Sequence, residues 1–229
     1  MVPSSAHVID EVLQVSSDEN DDSPPIVVPG ALEGGVVSRK RDEVREALVQ
    51  TACRLLTTEG AEALTTRRIA AEAGTTTMAL YTRFGSKEGV AAAVYVEGFV
   101  KLERALARAM KDAADPVTAI VRGTLAYRRF GIRHAPYYGV MFQRTVSGFE
   151  PDHQVALRSL DLLGLHVKRA IDQSGVDLDT TAVTLAVWSL CHGTTSLELD
   201  RKMSVNSDPE ADLEAAVLAL LRGFGLSPP

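Results

Sequence analysis

The sequence predicts an all-α protein, with an N-terminal helix-turn-helix three-helix domain followed by a C-terminal helical bundle. Three observations carry this. Apolar residues recur at the three- and four-residue spacing of a helix face from Val44 to Phe224, with no run of strands after residue 88. Hydroxyl residues stand where helices should begin, and glycine or proline where they should end. Between Leu64 and Val90, LTTRRIAAEAGTTTMALYTRFGSKEGV, two short helical patterns flank one glycine, so the helices must cross steeply over a turn of a few residues.

Residues 1–38 hold seven acidic residues and no Lys or Arg, and include DENDDSPP and PGALEGG. This composition fits a disordered acidic tail; a natural start near Val36 or Val37 is the alternative. The first helix is expected from Arg39 to Gly60, with Val44, Ala47, Leu48, Thr51, Ala52 and Leu55 inward. Thr65 can cap a helix whose inner face is Ile69, Ala70 and Ala73, and Gly74 supplies the left-handed residue that ends it. Thr76 caps the next, with Leu80 and Phe84 inward and Thr75, Thr76, Thr77, Met78 and Tyr81 outward.

Ser86 caps a long helix from Lys87 to about Ala113, buried along Val90, Val94, Phe99, Leu102, Leu106 and Met110. Pro116 opens another at its first turn, followed by Val117, Ile120, Val121, Thr124 and Leu125. The run AYRRFGIRHAPYYGVMFQR concentrates aromatic residues and arginines and is broken at Pro136. Residues 152–174 are apolar on two faces and 180–200 nearly all round, so both need a neighbour or a second copy to cover them. A last amphipathic helix carries Leu213, Ala216, Val217, Leu220, Leu221 and Phe224.

The motifs L-T-x-x-x-I-A-x-x-A-G at 64–74, A-L-Y-x-x-F at 79–84 and S-K-E at 86–88 together resemble the DNA-binding domain of the tetracycline-repressor-like (TetR) family of bacterial transcription regulators, over residues 41–90. Trp188, His192 and Gly193 are similar to the Trp-x-x-x-His-Gly signature of one group of that family's C-terminal domains. The departures are Thr75, Thr77 and Met78, in the helix that would read DNA, which leaves the operator sequence open. The resemblance implies DNA binding by residues 39–87 and small-molecule binding and dimerisation by residues 88–229, with 152–174 and 180–200 as a four-helix dimer interface. Expected partners are a double-stranded operator, a second copy and an unidentified effector, in the cytoplasm and without a membrane.

In that frame Thr75, Thr76, Thr77 and Met78 face base edges, where hydroxyls pair and methyl groups meet thymine. Thr66, Tyr81, Lys87, Arg83 and the cap at Ser86 face phosphates. Arg67 or Arg68 is left to contact guanine. The basic run at 39–41 either touches DNA as an arm or is a solvated helix start. Candidate effector contacts are Tyr127, Phe130, Arg133, Tyr137, Tyr138, Met141, Phe142, Trp188, Cys191, His192 and Thr195, with His192 donating either to a ligand or to a backbone carbonyl.

Charge is segregated: residues 39–87 carry +3 and residues 88–229 carry −2, within a chain of net charge −6 and pI about 5.4. A nonspecific DNA coat would be basic throughout. No apolar run reaches the length of a membrane span and no signal-peptide pattern is present. Two cysteines within helical patterns fit free thiols in a reducing compartment. No histidines stand at metal-ligand spacing with a carboxylate, and no nucleophile elbow or phosphate loop occurs, so neither a cofactor, a metal nor catalysis is expected. Control by a protein partner, and a helical enzyme with a fused DNA-binding domain, are the other readings.

Overall fold

Among the residues described by the computed structural model, 32–142, 149, 151–203 and 208–228, there are nine α-helices, one 3-10 turn and no strand. Helix α1 (Leu32–Thr58) is followed by the turn Ala61–Ala63, then α2 (Thr66–Glu72), α3 (Thr77–Phe84) and α4 (Lys87–Met110). The remainder is α5 (Pro116–Arg133), α6 (Ala135–Phe142), α7 (His153–Ser174), α8 (Thr180–Leu199) and α9 (Pro209–Gly223).

The first helix begins at Leu32, not at Arg39, so residues 32–38 of the expected tail are helical. The helix breakers Pro29 and Gly30 lie just before it and no proline follows until Pro116, so only Gly34 and Gly35 oppose its extension. Residues 1–31, the rest of that expected tail, lie outside the described residues. Residues 43–229 form one compact unit, which holds both candidate sites.

Local chemistry sets the helix starts. The side chains of Thr65, Thr76 and Ser86 accept from the backbone N–H groups of Arg68, Ala79 and Gly89. Asp115, Asp152, Asp179 and Asp208 do the same for α5, α7, α8 and α9. Pro116 occupies the first turn of α5, where its missing N–H costs nothing. Between α2 and α3 the chain turns at Gly74, whose φ of +66° an L side chain adopts only with strain.

Leu48, Leu55 and Leu56 of α1, Leu64, Ile69 of α2 and Leu80 of α3 are fully buried, which fixes the short helices against α1 and the start of α4. Helix α4 then runs on into the bundle and packs on α5, α6 and α7. Val94, Phe99, Leu102, Leu106 and Met110 are all buried along it. Helix α5 is central, touching α4, α6, α7, α8 and α9. Arg128 of α5 grips Glu198 of α8 through Nε at 2.7 Å and Nη2 at 2.6 Å, and reaches Glu210 of α9 at 3.0 Å.

A polar contact also joins α1 to the bundle. The Thr57 hydroxyl, 2.9 Å from the Cys53 carbonyl, also reaches the Pro136 carbonyl at 3.3 Å, and Tyr137 donates to Glu97 at 2.7 Å. Arg45 of α1 pairs with the same carboxylate at 3.5 Å. No described helix is long and apolar enough to cross a membrane.

Candidate functional site

The exposed edge of α3 carries the first candidate site. Met78 is 72% and Tyr81 50% exposed, and Thr76 and Thr77 are exposed beside them, while Leu80 on the opposite face is buried. Thr75 is half-buried, at the turn. Thr66, at the start of α2, lies 3.4 Å from the Tyr81 hydroxyl, so the two expected phosphate ligands stand together. Lys87 and Ser86 are half-buried at the N-terminus of α4, where the aligned peptide dipoles favour an anion. Arg83 turns back and donates to the Ala79 carbonyl at 3.0 Å, which commits part of its guanidinium.

The two arginines of α2 divide. Arg68 holds Glu59 with both terminal nitrogens at 2.7 Å and Glu72 with Nε at 2.8 Å, and Arg54 reaches Glu72 at 2.5 Å. The Arg68 guanidinium ties α2 to the end of α1 and has no donor fork to offer a guanine. Arg67 is exposed, with no ion-pair partner among the described residues. Of the two arginines expected at a guanine, only Arg67 is available.

The second candidate site is a cavity of about 250 Å³ between α4, α5, α7 and α8. Its wall includes Phe99, Leu106 and Met110 of α4, Gly123, Thr124 and Tyr127 of α5, and Phe142. Ala156, Leu157, Ser159, Leu160 and Leu163 of α7 and Trp188 and Cys191 of α8 complete the lining. The methyl group of Met110 lies 2.0 Å from where a side chain on Gly123 would begin, so Gly123 makes room for that methionine.

Beside the cavity, Tyr127 and Tyr138 place their hydroxyls 2.9 and 2.8 Å from Nδ1 of His192. One neutral imidazole nitrogen serves only one such bond well. Tyr138 has Ser196 at 3.3 Å and the His192 carbonyl at 3.4 Å as further partners. Burial depresses the pKa of His192, which favours the neutral ring, and raises those of both phenols. Cys191 is held in the core, its thiol pushed up by burial and donating to the Thr124 carbonyl at 3.4 Å.

The sequence matches the family described as bacterial regulatory proteins, tetR family, over residues 48–94, and the tetracyclin repressor-like C-terminal domain over residues 117–220. The chain belongs to the TetR family of bacterial regulatory proteins. It is a DNA-binding transcriptional regulator. An uncharacterised helix-turn-helix regulator of Mycobacterium tuberculosis is 27% identical over 190 residues, covering 82% of this chain and 84% of the relative. Among solved structures, the TetR-family regulator PfmR of Thermus thermophilus shares the fold with a TM-score of 0.62 at 23% identity, over 76% of this chain and 97% of that one. The regulator FadR of Bacillus subtilis, solved in complex with stearoyl-CoA, matches with a TM-score of 0.65 at 16% identity, over 77% and 96%.

Of the effector contacts expected from the sequence, this TetR-family bundle brings Tyr127, Phe142, Trp188 and Cys191 onto the cavity wall. Tyr138 and His192 form the polar cluster behind it, and Thr195 is buried with its hydroxyl on the Cys191 carbonyl. Phe130, Tyr137 and Met141 are buried away from the cavity lining, and Arg133 is exposed. His192 contacts two phenols through its Nδ1. The wall residues of α4 and α7 are additions to the expected set, since both helices carry only the periodicity of ordinary core. On α3, Thr82 is exposed one turn beyond Met78 and extends the outward row of the first site.

Proposed function

We propose that the chain is a ligand-responsive repressor that binds a near-palindromic operator as a homodimer. The exposed row Thr76, Thr77, Met78 and Tyr81, backed by buried Leu80, carries the DNA-reading part. Dimerisation is placed on α7 and α8, where Leu157, Leu185 and Leu197 are 43%, 43% and 47% exposed. Leucines left in water on long helices are what a second copy would cover. Two copies of α3 would then enter successive major grooves about 34–36 Å apart.

Ligand response rests on the cavity, whose wall includes Phe99, Leu106 and Met110 of the helix that begins at Ser86 and Lys87. Material pressed against these residues bears on the element that carries the DNA-reading unit. The stearoyl-CoA complex of a FadR with this fold supports a small-molecule effector. A coupling of about 1–3 kcal/mol between effector and operator is ordinary.

Selection of bound duplexes from random DNA tests the reading, with a two-fold palindrome as the expected result. On that operator Lys87→Ala is expected to weaken binding to all sequences alike and to lower the salt slope by about one. Thr77→Ala should instead alter base preference, at about 1–3 kcal/mol for the affected position. A folded Lys87→Ala dimer with unchanged affinity and slope would show the docking to be wrong.

The two arginines of α2 give a separate contrast. Arg67→Ala is expected to cost about tenfold in operator affinity. Arg68→Ala should leave base preference intact and lower the melting temperature only slightly, since its ion pairs are partly in water. Competition binding against single-base operator variants, run beside thermal melts, separates the two effects.

A further inference from the structure

We infer that the cavity takes an uncharged, largely apolar molecule of about ten carbons and selects against carboxylates and phosphates. This rests on the reading of the bundle as an effector-binding domain and specifies its ligand. No described residue on the wall carries a charge.

The wall's hydroxyl and thiol protons are already committed to the protein. The Thr124 hydroxyl donates to the Val121 carbonyl at 2.8 Å, and the Ser159 hydroxyl to the Ala156 carbonyl at 2.8 Å. The Cys191 thiol donates to the Thr124 carbonyl. The Tyr127 hydroxyl has an internal acceptor in either histidine tautomer: Nδ1 of His192 at 2.9 Å, or the Tyr138 oxygen at 3.5 Å. A ligand oxyanion would therefore lose its hydration for at most the one indole N–H of Trp188, which is an unfavourable exchange in an apolar site. A ligand hydroxyl is tolerated, because the lone pairs of Thr124 and Ser159 still accept.

Volume sets the size. An apolar cavity of about 150 Å³ holds benzene, so one of about 250 Å³ accommodates a bicyclic aromatic or cage hydrocarbon of about ten carbons.

Trp188 is the chain's one tryptophan and lines the cavity, so its emission reports occupancy directly. The full-length protein is titrated with 1-adamantanol and with 1-adamantanecarboxylate, two ten-carbon cages that differ in charge. The expected result is a saturable change in Trp188 emission with the alcohol and binding at least tenfold weaker with the carboxylate. Ala156→Phe, which fills the half-buried α7 wall, should abolish the alcohol's effect while retaining the helical circular dichroism of the parent. Equal or tighter binding of the carboxylate would overturn the charge selectivity and leave the effector reading standing. No saturable change with either cage would overturn both.

Discussion

Leu80→Ala is expected to destabilise the helix-turn-helix by about 3 kcal/mol and to reduce operator affinity by about a hundredfold. Leu80 is fully buried, on a helix only eight residues long. A helix of that length is not stable by itself in water, so tertiary packing must hold it. Thr76 caps its start and Phe84, half-buried under the Arg45 guanidinium at 5.8 Å, steadies its end. Neither replaces the central side chain. The outward residues can meet a groove only while the inward one fixes the roll of the helix.

The contrast with Met78→Ala makes the test sharp. Met78 is 72% exposed, so its removal should change stability by less than about 0.5 kcal/mol. Amide hydrogen exchange resolves the difference, with protection of α3 lost in Leu80→Ala and kept in Met78→Ala. Trp188 emission should be unaltered in both, since that residue sits in the bundle. Wild-type protection of α3 in a folded Leu80→Ala protein would refute the placement of Leu80 as the anchor.

Features written within one turn of chain were legible in the sequence. Thr65, Thr76 and Ser86 cap as expected because a cap needs only its own side chain and an N–H two or three residues on. Gly74 was legible for the same reason. The start of α1 was not, because a helix extends until something stops it, and composition alone marked residues 32–38 as tail.

Empty space was the harder inference. Tyr127, Phe142, Trp188 and Cys191 stood out by residue type, whereas Phe99, Met110, Leu160 and Leu163 look like any core residue. Whether such a residue packs against a neighbour or faces a void depends on how five helices meet, which periodicity does not encode. Long-range ion pairs are equally silent in sequence. By sequence Arg68 is equivalent to Arg67 as a base-reading arginine, and only the fold brings Glu59 and Glu72 against it.

Arg128 is the strongest case of that kind, with partners 70 and 82 residues away. Its side chain is 13% exposed and that of Glu198 19%, so the pair is largely removed from water. Arg128→Ala leaves the Glu198 carboxylate desolvated with no cation against it among the described residues, an arrangement that costs about 2–4 kcal/mol. Arg128→Met, which keeps the stem volume but not the charge, should be no better, because the loss comes from the orphaned carboxylate. The double change Arg128→Met with Glu198→Leu should recover much of it, since apolar substitutes for a buried pair are often neutral.

Acid supplies a second readout. Arg129 first, and then Arg128, hold the Glu210 carboxyl below its usual range. A lowered folded-state pKa contributes stability that is complete above the ordinary carboxylate value and is lost as pH falls through the lowered one. Wild-type stability should therefore decline on acidification in that window, and Arg128→Ala should show a shallower decline. Urea unfolding at neutral and acidic pH measures both effects. If Arg128→Ala unfolds at the wild-type midpoint, the α5–α8–α9 clasp does not contribute to the stability of this bundle.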